Sequence, residues 1–360
     1  MYLKIVQSMS PTARREFTPD IIRVLACFLV MWQHASESYY IAADLSPVRE
    51  SSTAIIGFIT SLCRAAVPLF AMTSGYFLLP MRGSTSEFFR RRATRIVLPF
   101  VLWAAVYAIY FMVSQHQSLS QCLVNIAHIP INYGTEIGHM WYVYMLIGLY
   151  LLVPVISPWL QTASCTTLRC YLGIWLVASS LPYIHLVFPE VFGECYWNPT
   201  PMLYYFTGFA GYFILGFYIR KFGDFRRIPS LLMLAGGYAA TALVFNSRIA
   251  TAPTVADLEL SWQQCSVNVA FMSCGLFCLI HSLRVQADSL LAHITTDIAR
   301  KGYAIYLAHL ILIIEMASIV KGHIGPVYVE IPVITLAAFL LTYMLISILH
   351  RLPKADKWVG

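Results

Sequence analysis

A chain of 360 residues is long enough for two or three soluble domains, but 59% of its residues are hydrophobic and only 11% are charged. A soluble protein needs about a quarter of charged residues to cover its surface. The composition therefore predicts a polytopic membrane protein. It excludes secreted disulfide scaffolds, disordered tails and nucleic-acid binders, whose basic residues would cluster on one solvated face.

Ten segments are apolar enough to cross a hydrocarbon layer of about 30 Å, which takes about 20 helical residues. In chain order they are Asp20 to Tyr40, Thr53 to Leu79, Ile96 to Ser114, His139 to Leu160, Leu168 to Phe188, Leu203 to Ile219, Pro229 to Phe245, Cys265 to Leu283, Gly302 to Val320 and Ile331 to His350. We predict an all-α protein with about ten transmembrane helices. Residues 1–19 would form an N-terminal segment, 20–350 the transmembrane domain and 351–360 a C-terminal tail.

The distribution of lysine and arginine sets the predicted orientation, because short loops rich in these residues stay cytoplasmic. The predicted spans put 19 of the 24 basic residues on the side of the two termini. Only Arg49, Arg248 and Lys321 fall on the other side, while Arg23 and Arg64 lie inside or at the edge of spans. Both termini are therefore predicted to be cytoplasmic, and the first apolar run is too long for a cleaved signal peptide.

The cysteines do not have the spacing of a metal site, although there are nine of them. We expect Cys274 and Cys278 to be packing residues, and no metal is expected. Cys122, Cys195 and Cys265 fall on or near the predicted outer side, where a disulfide is possible. The chain has no phosphate-binding glycine-rich loop, which excludes an ATPase of its own.

The first predicted helix carries ionisable groups, which are costly in a membrane and are therefore functional candidates. Arg23 and His34 are eleven residues apart, so they share a helical face and lie roughly 16 Å apart along the axis. They are either functional groups or a snorkelling cation and a packing histidine. Glu37, three residues after His34, either fixes the tautomer of the imidazole or is an interfacial acid that faces water.

Later spans add further candidates. Arg64 falls near mid-membrane and needs an acid, a carbonyl or an anionic ligand, which favours a polar cavity. His139 opens the fourth span beside Trp141, at a depth where aromatic residues are also common as interfacial anchors. In the ninth span, His309 and Glu315 are predicted to face opposite sides of the helix.

The order of several short motifs resembles that of the acyltransferase family 3 membrane proteins. The matching segments are Asp20 to Ala26 with the Arg23 to His34 spacing, Arg64 to Tyr76, Phe89 to Pro99, His139 to Tyr142, and Gly302 to His309. The closest type is the stand-alone O-acetyltransferase of surface glycans, such as that of enterobacterial common antigen.

The resemblance implies transfer of an acetyl group from cytosolic acetyl-coenzyme A to a sugar hydroxyl of a surface or lipid-linked glycan. It also implies a multi-pass protein of the bacterial inner membrane, with glycan and membrane lipids as partners and no nucleic acid. Other acyl groups, such as succinyl, occur in relatives. The sequence indicates no oligomeric state.

The resemblance also assigns roles to residues. His34 is either a general base or the carrier of the acyl group, with Arg23 and Arg64 as the other catalytic residues. The cluster Arg90, Arg91, Arg92 and Arg95 either serves as topogenic charge or binds the phosphates of the donor. The expected substrate-binding residues are Glu37, Ser74, Tyr76, His139, Trp141, Tyr306 and His309.

The predicted outer loops are rich in acidic and aromatic residues, as a sugar site or any exposed loop would be. These residues are Tyr133, Glu136, Glu190, Glu194, Tyr196, Trp197, Asp257 and Glu259. The rival interpretation is a flippase or exporter of a lipid-linked saccharide, which predicts an internal repeat. The two halves of the chain show no such repeat, because the ionisable groups concentrate in the first four spans.

Overall fold

The protein is built from α-helices. The computed structural model describes residues 17–131, 135–188, 190, 202–223, 226–283 and 290–360. Within these ranges the chain forms no β-strand, and a single β-bridge joins Ile41 to Pro47. The predicted all-α class is therefore confirmed.

Fourteen α-helices are found in the described part of the chain. They are α1 (Thr18–Tyr40), α2 (Ser51–Ser61), α3 (Ala66–Leu78), α4 (Thr85–Arg92), α5 (Leu98–Ser114), α6 (Leu119–His128), α7 (Trp141–Thr162), α8 (Cys165–Val187), α9 (Phe209–Phe222), α10 (Arg227–Arg248), α11 (Val255–Leu258), α12 (Val267–Ser282), α13 (Leu290–Val320) and α14 (Val327–Leu349). Short 3₁₀ or π turns join α2 to α3 and α4 to α5.

Seven helical segments of the described chain are long and apolar enough to cross a membrane. They are Ser51–Leu78, Thr85–Ser114, Gly138–Thr162, Arg227–Arg248, Leu260–Ser282, Leu290–Val320 and Val327–Leu349. Each coincides with a predicted span, so the chain is a multi-pass membrane protein.

The other three predicted spans coincide with helices α1, α8 and α9, which are not among these seven segments. The sixth predicted span begins too early. Leu203 and Gly208 have left-handed φ angles of 61° and 82°, so the helix starts only at Phe209 and has 14 residues. At 1.5 Å per residue it is about 21 Å long, short of the hydrocarbon thickness.

Pro68 shapes the segment around Arg64. Proline has no N–H, so Pro68 cannot donate the helical hydrogen bond to the carbonyl of Arg64 four residues before it. The backbone tightens there into a 3₁₀ turn, Leu62–Ala65, between α2 and α3. The buried guanidinium therefore projects from a break in a membrane-spanning segment rather than from a regular helix.

Helix α1 lies at the centre of the bundle, packed against α2, α3, α12, α13 and α14. Ile22, Ala26 and Met31 on α1 are almost completely buried. Because α1 is unbroken from Thr18 to Tyr40, it carries Arg23 and His34 at fixed positions along the core of the molecule.

Two glycines bring α3 and α9 into backbone contact. A Cβ added at Gly75 would overlap the carbonyl of Phe213, and one added at Gly216 would overlap the carbonyl of Met72. Membrane helices without a hydrophobic driving force between them rely on such close packing of small residues. The contact fixes α3, which follows Arg64, against the second half of the chain.

The C-terminal residues fold back onto the bundle instead of extending from it as a tail. Val359 is 1% exposed, and its carbonyl accepts a hydrogen bond from the indole of Trp103 at 3.0 Å. Among the cysteines considered for a disulfide, Cys122 and Cys265 are free thiols, and Cys195 lies outside the described residues.

The close helix contact at Gly216 predicts that alanine destabilises the protein at this position but not at an exposed glycine. Gly216→Ala should lower stability by about 1–3 kcal/mol, because the methyl group has no room beside a rigid backbone carbonyl. Gly148→Ala, in the exposed part of α7 with no atom within 4 Å of the added Cβ, is the matched control and should be neutral or stabilising. Thermal unfolding of the two variants in detergent measures the difference, and equal midpoints would contradict this packing.

Candidate active site

Glu37 holds the imidazole of His34. The two side chains lie one helical turn apart on α1, and Nδ1 of His34 is 2.9 Å from Oε2 of Glu37. A carboxylate accepts a proton donor, so this contact favours the tautomer with hydrogen on Nδ1. Nε2 is then left with a lone pair that can take up a proton.

Two further histidines lie beside His34. The ring centroid of His34 is 6.1 Å from that of His139 and 5.4 Å from that of His309, and the latter two are 5.1 Å apart. His139 comes from the 3₁₀ turn before α7, and His309 from the middle of α13. Three separate parts of the chain therefore form one histidine cluster, which we define as His34, His139 and His309.

Tyr306 orders this cluster. Its carbonyl is 2.6 Å from Nδ1 of His309, which requires hydrogen on that nitrogen, and its hydroxyl donates to the carbonyl of His139. Nε2 of His309 is then a buried acceptor without a hydrogen-bond partner in the described ranges. In the same ranges, no group of three or more His, Cys, Asp or Glu residues has the geometry of a metal site.

A large cavity of about 750 Å³ opens beside Glu37. Its wall combines aromatic rings, amides, hydroxyls and charges, including Gln33, Glu37, Arg64, Trp141, Ser179, Glu259, Trp262 and Gln264. This volume is within the range of about 300–1,000 Å³ that is usual for small-molecule sites. Trp141, predicted as a substrate-binding residue, lines this cavity and is 42% exposed.

Arg64 forms an ion pair with an acid, Glu259. Its Nη2 is 3.3 Å from Oε1 of Glu259 and 3.2 Å from the hydroxyl of Tyr40, and its guanidinium lies 4.0 Å from the ring centre of Trp262. Its Nε has no hydrogen-bond partner in the part of the chain that is described. Arg64 is therefore charge-compensated by Glu259 and keeps a spare donor at the large cavity.

A small cavity of about 290 Å³ lies beside Tyr306. Three guanidinium groups line it, those of Arg23, Arg92 and Arg300, together with Ser74 and Tyr306. These cations are positioned by aromatic rings: Arg23 lies 4.8 Å from the ring centre of Phe77, and Arg92 lies 5.4 Å from those of Phe88 and Tyr150. Arg23 also pairs with Asp20 at 3.4 Å. This arrangement suits an anionic ligand.

Of the four arginines predicted to grip a donor, only Arg92 lines the small cavity. Arg90, Arg91 and Arg95 are exposed, and Arg91 pairs with Glu87. Arg90, Arg91 and Arg92 are consecutive on α4, about 100° apart around the helix, so they cannot share one face, and the π-helical turn Ala93–Val97 separates Arg95 from them. Arg300, at a position where the sequence predicts only topogenic charge on the cytoplasmic side, lines the small cavity together with Arg92.

Other predicted residues lie elsewhere. The ring of Tyr76 packs against His281, 5.3 Å away, and the backbone carbonyl of Tyr76 accepts a hydrogen bond from Arg220. Tyr76 is therefore a packing residue at the α3 to α9 contact, outside the linings of both cavities. Glu315 bonds to Tyr110 at 2.7 Å, away from His309, as their opposite helical faces predicted.

The acidic outer-loop residues also differ from one another. Glu259 lines the large cavity, Asp257 approaches Arg248 at 3.9 Å, and Glu190 is exposed. Tyr133, Glu194, Tyr196, Trp197 and the side chain of Glu136 lie outside the described residues.

None of the three histidines lines either cavity, but each cavity has a lining residue that contacts the cluster. On one side Glu37, in the wall of the large cavity, bonds to His34. On the other side Tyr306, in the wall of the small cavity, has its ring centroid 5.6 Å from that of His309 and 5.8 Å from that of His139. A basic imidazole therefore lies between a cationic cavity and a polar, aromatic one.

Comparison with known proteins places the chain in a family. Neither the search of curated proteins nor that of solved structures found a match. Residues 17–351, nearly the whole chain, match the sequence profile of the third acyltransferase family, described as "Acyltransferase domain". This match covers every residue of the histidine cluster and both cavities, and the chain therefore belongs to the acyltransferase 3 family of membrane proteins.

Proposed function

We propose that this acyltransferase moves an acetyl group from cytosolic acetyl-coenzyme A to a sugar hydroxyl of a cell-surface or lipid-linked glycan. The observation that carries the proposal is the histidine cluster between two cavities of different chemistry. The motif order, which resembles that of surface-glycan O-acetyltransferases such as the enzyme of enterobacterial common antigen, supports the choice of acyl group and acceptor.

The small cavity suits the donor. Acetyl-coenzyme A carries phosphates at one end and the thioester at the other, joined by a narrow chain. A volume of about 290 Å³ fits this chain rather than the whole coenzyme. Arg300 is exposed, so it can meet the phosphates at the mouth, while Arg23 and Arg92 lie along the wall. The thioester then points towards Tyr306 and the histidine cluster.

The large cavity suits the acceptor, and His34 supplies the base. Nε2 of His34 takes the proton of the acceptor hydroxyl while the hydroxyl oxygen bonds to the thioester carbonyl carbon. The resulting oxyanion collapses, the C–S bond breaks, and the coenzyme A thiolate takes the proton from the imidazolium. Glu37 stabilises the imidazolium formed in between. Arg64 Nε is the donor in the large-cavity wall that supports the developing oxyanion.

We further propose that α1, α8 and the short α9 also lie in the membrane, which gives about ten membrane helices, with cytoplasmic termini and a location in the bacterial inner membrane. The three basic residues assigned to the outer side support this orientation, because two of them bond near the C-terminal end of α1 or its following loop. Lys321 donates to the carbonyl of Ser38 at 2.6 Å, and Arg49 donates to that of Ala252 at 2.9 Å. The arginine-rich small cavity lies towards the opposite end of α1, where Arg23 is located.

The pair of His34 and Glu37 generates the first test of this proposal. His34→Ala should abolish acetyl transfer, and Glu37→Gln should reduce the rate at least tenfold, because the imidazolium loses its anionic partner. The measurement is release of coenzyme A thiol together with mass spectrometry of extracted glycans, in which an acetyl ester adds about 42 Da by simple mass arithmetic.

Glu315→Gln is the matched control, since Glu315 bonds to Tyr110 on another face of α13 and should tolerate the change. Full transfer by His34→Ala would contradict the role of His34. An acetyl group covalently trapped on His34 would show that it carries the acyl group instead of acting as a base.

The small cavity generates the second test. Arg92→Ala should raise the KM for acetyl-coenzyme A by about tenfold, the effect of one lost charge-assisted hydrogen bond, with little change in acceptor KM. Arg90→Ala removes a neighbouring exposed arginine of the same helix and should leave both constants near those of the unchanged protein. Equal effects of the two substitutions would mean that the arginines act only through general positive charge.

A further inference from the structure

Some residues that line the large cavity have polar atoms without a hydrogen-bond partner in the described part of the chain. Ser179, on α8, is 3% exposed, and its Oγ has no hydrogen-bond partner within the described ranges. The same holds for Oε1 of Gln264. Both residues line the cavity. A buried hydroxyl or amide without a partner costs free energy, so these atoms indicate a ligand that hydrogen-bonds to them.

Aromatic rings line another part of the large cavity. Trp141 lines the cavity with 42% of its area exposed, and its ring is held against Phe209 with the centroids 5.6 Å apart. Tyr204, also in the lining, is 54% exposed. A pyranose ring has an apolar face of C–H groups and a rim of hydroxyls, which matches aromatic surface next to unsatisfied polar atoms.

The charges in the wall select among sugars. The charged residues of the described lining are Glu37, Glu259 and Arg64. Arg64 is already paired with Glu259, so Glu37 adds one uncompensated negative charge whenever His34 is neutral. The described lining therefore has a net charge of −1 when His34 is neutral, so a carboxylate on the acceptor ring would meet net repulsion there.

On the basis of the function proposed above, we infer that the large cavity is an acceptor subsite for an uncharged sugar ring. The ring stacks on Trp141 and is hydrogen-bonded by Ser179 and Gln264. The hydroxyl to be acetylated points towards His34. Uronic and sialic acid rings are excluded from this position by Glu37, whereas charged groups elsewhere on the glycan remain outside the cavity.

The charge of the acetylated ring is the first test. Membranes that contain the full chain are incubated with radiolabelled acetyl-coenzyme A, and the labelled glycans are cleaved to single sugars and identified by mass spectrometry. The label is expected on an uncharged ring. Label on a uronic or sialic acid would overturn the inference but not the acetyltransferase function, whereas no labelled sugar at all would overturn both.

The second test uses two adjacent serines of α8. Ser179→Ala should raise the KM for the extracted, unacetylated glycan by about tenfold, the loss of one buried hydrogen bond, and leave the KM for acetyl-coenzyme A unchanged. The control is Ser180→Ala, because Ser180 bonds to the carbonyl of Val177 at 2.6 Å and is not part of the cavity lining. Unchanged acceptor KM in Ser179→Ala, or equal increases in both variants, would contradict the subsite.

Discussion

The free-energy cost of placing a charged group among apolar helices determines how the ionised residues of this protein are paired. Every ionised group inside the bundle needs a partner, because hydrocarbon provides no water to solvate it. Arg64 has Glu259 and Tyr40, and His34 has Glu37. The contacts of Arg64 link the break before α3 both to α1, through Tyr40, and to the loop before α12, through Glu259. Glu37, Arg64 and Glu259 also line the large cavity, so the groups that compensate the buried charges form part of its wall.

Helix α1 connects the two ends of the site. It carries Arg23 in the wall of the small cavity and, eleven residues later, His34 in the histidine cluster. An unbroken helix keeps these groups roughly 16 Å apart, which suits a donor with phosphates at one end and a thioester at the other. Packing of α1 against α2, α3, α12, α13 and α14 holds the helix in place.

Local spacing predicted what a single helix determines. The shared face of Arg23 and His34, the contact of His34 with Glu37, and the separation of His309 from Glu315 all follow from 3.6 residues per turn. The sequence also indicated that Arg64 needs an acid, a carbonyl or an anionic ligand. It did not identify Glu259, because that partner is 195 residues away and only the fold brings the two together.

Other features of the site that the sequence did not indicate have local physical causes. The arginine cluster looked like one group of four, but Arg90, Arg91 and Arg92 are consecutive on the regular helix α4 and therefore point in different directions, and only Arg92 lines the small cavity. Tyr76 belongs to a recognisable motif and yet packs beside a helix contact, since the motif serves α3 packing as well as the site. Ser179 and Gln264 carried no sequence signal, because isolated serine and glutamine residues occur in any membrane helix or loop.

The central claim is that an acyl group passes from one end of the bundle to the other through the histidine cluster. Sealed vesicles of known orientation test it most directly: acetyl-coenzyme A is supplied only on the cytoplasmic face, and acetylated glycan is measured on each face. The account predicts that coenzyme A thiol forms on the cytoplasmic face while the acetyl ester forms on the opposite face. Acetyl ester on the cytoplasmic face alone would contradict it.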